Sequence, residues 1–255
     1  FNMATAMDIS GDAPESGAET VLVVGEPLRK RELFGGAAEI SVPARFVDVS
    51  SIRPIPDHVE MFVDQSTDQS VLVEILEQRD DVPDVDMARF HFQVLAENNE
   101  ASKPGDPALQ QLSVWNAPLL PLPAAAADDG DSAVSSSSAP AAAGGGALLP
   151  LQTERYMAAG QVPPGMQLCA GTQSIAKFRE GEQARNLVRV LVAVLRFRSV
   201  ETDIVVSLND PLVLSAHSSS ARAVDPVAVA HKGDSFALFN RIVATFYLEN
   251  FGLFG

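Results

Sequence analysis

The chain has 255 residues, 46% of them hydrophobic and 20% charged, with a formal net charge of −15 and a single cysteine. That length buries one good-sized core or two small ones, and the composition is globular. The charge argues against nucleic acid and anionic membrane surfaces as partners, and the lone Cys169 excludes an internal disulfide and a multi-cysteine metal knuckle, which suits a reducing compartment such as cytosol or nucleus.

Residues 1–31 read as a flexible leader, small, polar and acidic at its start. The residues ahead of Met3 are set aside as extraneous. No basic region followed by an apolar core marks a secretory signal, and "ETVLVVGEP" offers a short edge strand at 20–25. From residue 33 the pattern firms up. "GGAAEISVP" predicts a strand entered through Gly35 and Gly36. "DVSSIR" opens on a capping Asp48 and predicts one helical turn, stopped by Pro54 and Pro56. "HVEMFVD" and "SVLVEILE" predict a hairpin across the loop "QSTDQ". In "VPDVDMARFHFQVLAENN" the period changes. Val85, Ala88, Phe92 and Leu95 recur at three- and four-residue spacing, with acids at the start, which predicts a helix over 84–98.

Residues 116–150 are rich in Pro, Ala, Ser and Gly without periodicity and read as a disordered insertion. Beyond it, "RYMAAGQV" and "GMQLCAGTQSIAKF" alternate as strands do, and "NLVRVLVAVLRFRSVETDIVVSLNDP" predicts a long hairpin turning at "SVET". Its apolar run at 187–197 is interrupted by Arg189 and Arg196 and is too short to span a bilayer. Leu187, Leu191, Leu195 and Phe197 fall on one face, and Val188, Val190, Val192 and Val194 on the other. A strand apolar on both faces must be covered on both. The helix at 84–98 supplies one cover. A C-terminal helix at 234–250, with Phe236, Phe239, Val243 and Phe246 on one stripe, supplies the other. The expected fold is α+β, an antiparallel sheet sandwiched between helices on both faces. It forms a single domain over 32–255, interrupted by the insertion.

Catalytic patterns are scarce. "FGGAAE" lacks the spacing and the Lys-Ser/Thr of a phosphate cradle, and its glycines read as permitting a turn. No serine sits in a G-x-S-x-G elbow. The four histidines have no metal-ligand spacing, and His91 reads as a surface or boundary residue. "DDGDS" at 128–132 lacks the glycine and later glutamate of a calcium loop. Cys169 reads as an inert, half-buried thiol. Glu74 and Glu77 are offset by three on a strand, so they face opposite ways and do not form a carboxylate pair. No enzyme, cofactor or metal is expected.

The acidic balance is uneven. Residues 1–115 hold 21 acids against 8 bases, and between Asp57 and Asp86 ten acids face one base, Arg79. Charge runs are commonly solvated faces that keep a protein soluble. Carboxylates fixed on strands and strand ends also steer a basic partner. "LFGGAAEISVPARFVDVSSIRPIPDHVEMFVDQSTDQSVLVEILE" and "ARFHFQVLAE" closely resemble the Mog family, the Ran guanine-nucleotide release factors. The resemblance resumes at "GTQSIAKF" and "FRSVETDIVVSLNDPL" and ends in the "FGLFG" tail. It implies a sheet between helices similar to the PsbP fold, and binding to the small GTPase Ran with release of its guanine nucleotide. It also implies a role in nuclear transport between nucleus and cytoplasm, and an acidic Ran-binding surface. Matched motif by motif, that surface comprises Asp48, Asp57, Glu60, Glu74 and Glu77. His58 and Val59 depart from the more polar centre of the family's motif. Neither the leader nor the insertion has a counterpart. A second Ran-binding protein is a further candidate partner, and the default oligomeric state is a monomer. The competing function is an adaptor or trafficking module that binds another basic protein irrespective of nucleotide. A PsbP-like photosynthetic subunit would require a transit peptide.

Overall fold

A computed structural model describes residues 26–101, 113–116, 152–177 and 180–254, the strand at 113–116 by its backbone. Two antiparallel sheets organise it. The larger has seven strands in the order β3-β4-β5-β9-β8-β7-β6: β3 (Val47–Asp48), β4 (Val59–Asp64), β5 (Gln69–Glu77), β6 (Ser113–Asn116), β7 (Gly165–Ile175), β8 (Asn186–Phe197) and β9 (Thr202–Val213). The smaller joins β1 (Leu28–Leu33), β2 (Ala38–Pro43) and β10 (Tyr247–Leu248) in the order β1-β2-β10. The helices are α1 (Met87–Asn98), α2 (Thr153–Ala158), α3 (Ser219–Ala223), α4 (Pro226–Ala230) and α5 (Ser235–Val243).

The double-faced pattern of β8 sorts as its alternation requires. Val188, Val190, Val192 and Val194 pack with Val205, Cys169 and the α1 residues Met87, Ala88 and Phe92. Leu191, Leu195 and Phe197 pack on the opposite face with Phe62, Val71, Val73, Phe239 and Val243, and also with Leu33, Ile40 and Val42 of the small sheet. Leu187, near the start of β8 where the β8–β9 register shifts, is exposed and falls outside the core. The sheet is therefore covered by α1 on one face and by α5 together with the small sheet on the other.

Several expectations are refined. The strand β1 begins inside the stretch assigned to the leader. The segment "RYMAAGQV" holds helix α2 rather than a strand; Tyr156 is fully buried there and its hydroxyl accepts the Leu248 N–H at 2.8 Å. Helix α1 starts at Met87 and leaves Val85 exposed ahead of it. Helix α5 ends at Val243, and the β-branched and aromatic run Thr245–Tyr247 turns the chain into β10, with the Thr245 hydroxyl accepting the Ser41 N–H at 2.8 Å. Gly35 and Gly36, with φ of 67° and 93°, make the turn into β2, as expected. The strand proposed at 20–25, the "DDGDS" motif and all but the first residue of the insertion lie outside the described residues.

Candidate functional site

The residues proposed for partner binding all lie at the β3-β4-β5 margin of the large sheet. Asp48 ends β3 opposite Phe62 of β4. Its carboxylate accepts the Ser50 N–H at 2.8 Å and so caps the single 3-10 turn Val49–Ser51, the helical turn foreseen in "DVSSIR". Asp57 is exposed in the turn that leads into β4. Glu60 pairs in register with Val73, and Val59 with Glu74. Glu77 ends β5 opposite Thr202 and is exposed.

This register brings Asp57, Glu60, Glu74 and Glu77 to the end of the hairpin where β4 begins and β5 stops, but not to one face. Glu60 shares the face of Val73 and Phe62, toward the small sheet. There its carboxylate accepts the Phe34 N–H at 2.7 Å and anchors the left-handed turn at Phe34 (φ 52°), a conformation that a bulky residue rarely adopts. Glu74 pairs with Val205 and takes the opposite face, under α1. Asp48 stands at the sheet edge opposite Phe62, two residues further along β4 than Glu60 and so on the same parity. The five carboxylates thus wrap around an end and an edge of the sheet.

Electrostatics set this end apart. At the opposite, closed end of the same hairpin, Asp64 is buried against Arg45 and accepts the Thr67 hydroxyl at 2.5 Å, and Asp68 takes Lys177 Nζ at 2.7 Å. In the following loop Asp81 pairs with Arg79 at 2.7 Å, and Asp84 with Arg196 at 3.0 Å and with Arg198. Among the described residues no Lys or Arg pairs with Asp48, Asp57, Glu60, Glu74 or Glu77. Burial pushes the Glu74 carboxyl above its ordinary range, although His58 and His91 draw it partway back.

Beneath Glu74 lies a polar cluster that the sequence did not announce. His91, expected at the surface or a boundary, is buried, with Nε2 3.2 Å from Asp203 Oδ2. Arg196 grips the fully buried Asp203 with two bonds of 2.8 Å, and its remaining nitrogen donates to the Val82 carbonyl and to Asp84 at 3.0 Å. Burial alone would raise the Asp203 carboxyl, yet Arg196 and His91 outweigh it and hold the group below the usual carboxylate range. Arg196 was readable only as an interruption of an apolar strand. That interruption was the available signal, because a lone arginine on a buried face needs a buried acid. Cys169 is wholly buried rather than half-buried, and its thiol is pushed up to about 12 by that burial, which leaves no thiolate at neutral pH.

Three comparisons bear on this arrangement. A chain from Danio rerio named Ran guanine nucleotide release factor is 30% identical over 191 residues, covering 75% of this chain and 82% of its own. The nuclear import protein mog1 of Schizosaccharomyces pombe is 38% identical over 73 residues, 28% of this chain and 38% of its own. The crystal structure of the Saccharomyces cerevisiae Ran-binding protein Mog1p covers 90% of this chain and 100% of its own, with a TM-score of 0.53 at 19% identity, and so shares the fold. The model of the Ran-interacting Mog1 protein family matches residues 31–211, and the chain belongs to that family.

Proposed function

We propose that this protein binds the GTPase Ran through Asp48, Asp57, Glu60, Glu74 and Glu77 and promotes release of its guanine nucleotide, in support of nuclear protein import, acting between nucleus and cytoplasm. The observation that carries the reading is the asymmetry of the β4–β5 hairpin. Its closed-end acids Asp64 and Asp68 are held in ion pairs, whereas among the described residues Asp57, Glu60, Glu74 and Glu77 at its open end form none, although Arg79 lies near enough to Glu77 to act on it electrostatically. A sheet holds those carboxylates in place, so a cationic partner meets a pre-ordered surface. Family membership and the printed names of the relatives supply the partner.

The protein acts without covalent chemistry. Its carboxylates compete for cationic groups of Ran that hold nucleotide phosphate and Mg²⁺. A protein that binds the nucleotide-free state better than the loaded one weakens nucleotide affinity by the same factor, because the linkage is reciprocal. The segments of residues 32–255 on either side of the insertion act as one domain, since residues from both enter the same core cluster.

The test is release of a fluorescent guanine nucleotide from Ran. The protein should accelerate release. Asp57→Lys or Glu74→Lys should slow it and weaken binding by roughly 2–5 kcal/mol each where the charge is desolvated in the complex. Glu60→Gln separates two roles, because an amide oxygen still accepts the Phe34 N–H while the charge is gone. Release by folded Asp57→Lys and Glu74→Lys proteins at the parent rate would remove those residues from the site.

A further inference from the structure

One imidazole stands among the proposed docking carboxylates. His58 lies in the turn between Asp57 and Val59, and Val59 pairs with Glu74 across the ladder. The His58 carbonyl accepts the Ile75 N–H at 2.9 Å, which ties its backbone to the hairpin. Its side chain is exposed at the end of the sheet, one residue before β4 begins. The imidazole hydrogen bonds and ion pairs among the described residues belong to His91 and His231, so the His58 ring is free to meet solvent or a partner.

The charged groups around it are differently engaged. Asp57, its neighbour in the turn, is exposed. Burial raises the Glu74 carboxyl of β5, and His58 opposes that more than His91 of α1 does, so the ring lies near enough to act on Glu74. His91 is taken up by Asp203 of β9, which Arg196 of β8 also holds. The Glu60 carboxylate of β4 accepts the Phe34 N–H, and Glu77 of β5 interacts electrostatically with Arg79. Arg53, ahead of the turn, lies with Nη2 3.8 Å from Met61 Sδ.

Imidazole is the side chain whose charge ordinarily changes between about pH 5 and 8. With His58 neutral, Asp57 and Glu74 meet a cationic partner unopposed. With His58 protonated, a positive charge stands beside them and repels that same partner. We infer that His58 makes the docking surface proton-sensitive, so that Ran and a proton on this imidazole compete. This rests on the Ran-binding function proposed above, and deepens it with a control on the same surface. By reciprocity, bound Ran disfavours the proton by the factor by which the proton weakens Ran binding. The ring is exposed, so its charge acts on encounter and fades as salt is added.

The experiment measures association rates of the full chain with nucleotide-free and GDP-loaded Ran at low salt, from pH 7.5 to pH 6.0. The parent should associate about threefold more slowly at the acid end, the effect of one charge acting through water over several ångströms. His58→Asn keeps the backbone carbonyl but takes up no proton, and should lose most of that dependence. His58→Lys carries a permanent charge and should be slow at both ends of the range. His217 is exposed in the loop after β9, at the end of the sheet away from Glu77, and His217→Asn should keep the parent's profile. That variant controls for titration of Ran itself. Melting temperatures of the His58 variants should match the parent, because the side chain is exposed. A parent rate that is flat over the range, or a His58→Asn protein that keeps the parent's dependence, overturns the inference and leaves Ran binding standing. If the parent binds no form of Ran, the proposed function itself fails, and the proton sensitivity with it.

Discussion

Glu74 sits opposite Val205 on the face covered by α1, and burial there raises its carboxyl pKa despite the nearby His58 and His91. A carboxyl whose folded-state pKa lies above its unfolded value favours folding in its neutral form. Its contribution is present below the unfolded pKa and is lost as pH rises through the folded value. At neutral pH the ionised group therefore works against the fold, while the proposed function uses that same charge. Glu74→Gln should raise the melting temperature at pH 7, by an amount corresponding to about 0.5–2 kcal/mol. The gain should shrink to nothing in acid, where the parent carboxyl is also protonated. Ran binding at neutral pH should weaken at the same time. Melting curves from pH 4 to 8 read the first effect, and a melting temperature at pH 7 below that of the parent would refute it. The motif "VLVEILE" gave the position of Glu74 and, by alternation, its opposition to Glu77. Its burial was not legible, because that depends on α1 and His91, which a strand's own pattern does not contain.

Between elements, the decisive contact is the Arg196–Asp203 pair, which joins β8 to β9, takes in His91 of α1 and, through Asp84, pins the loop that precedes α1. Removing one member of a buried pair leaves the other charge without compensation, whereas replacing both by apolar groups can be close to neutral. Arg196→Met should therefore destabilise by about 3–5 kcal/mol, and the double variant Arg196→Met, Asp203→Leu should recover much of that loss. Urea unfolding of the three proteins checks it; equal costs for the single and double variants would show that the pair is not coupled. The long hairpin, its turn and α1 were legible because each repeats its period over many residues. Two elements were not. In α2 the apparent alternation spans too few residues to separate strand from helix. In β1, "LRKREL", apolar residues occupy only the ends. That strand is recruited by pairing along the neighbouring β2 and by Lys30 meeting Glu39 and Arg31 donating to the Phe46 carbonyl at 3.2 Å, contacts that its own residue pattern does not contain.

Across the whole molecule, net charge and charge placement make different predictions. A protein of net charge −15 attracts any cationic partner from a distance, but at physiological ionic strength charges are screened over about 8 Å, so the orientation of docking is set by the carboxylates nearest the contact. Helix α1 runs from the end of the sheet that carries Glu74 toward the other end, where Asn99 donates to Gln173 at 2.9 Å, and Glu97 is exposed near that far end. Asp57→Lys and Glu97→Lys change net charge equally at opposite ends. If local placement steers Ran, Asp57→Lys should slow association about tenfold at low salt, converging on the parent rate as added salt screens the field, while Glu97→Lys stays within about twofold throughout. Equal slowing by both variants would mean that overall charge does the steering. In that case the unpaired carboxylates at the open end of the hairpin would have no special part in recognition.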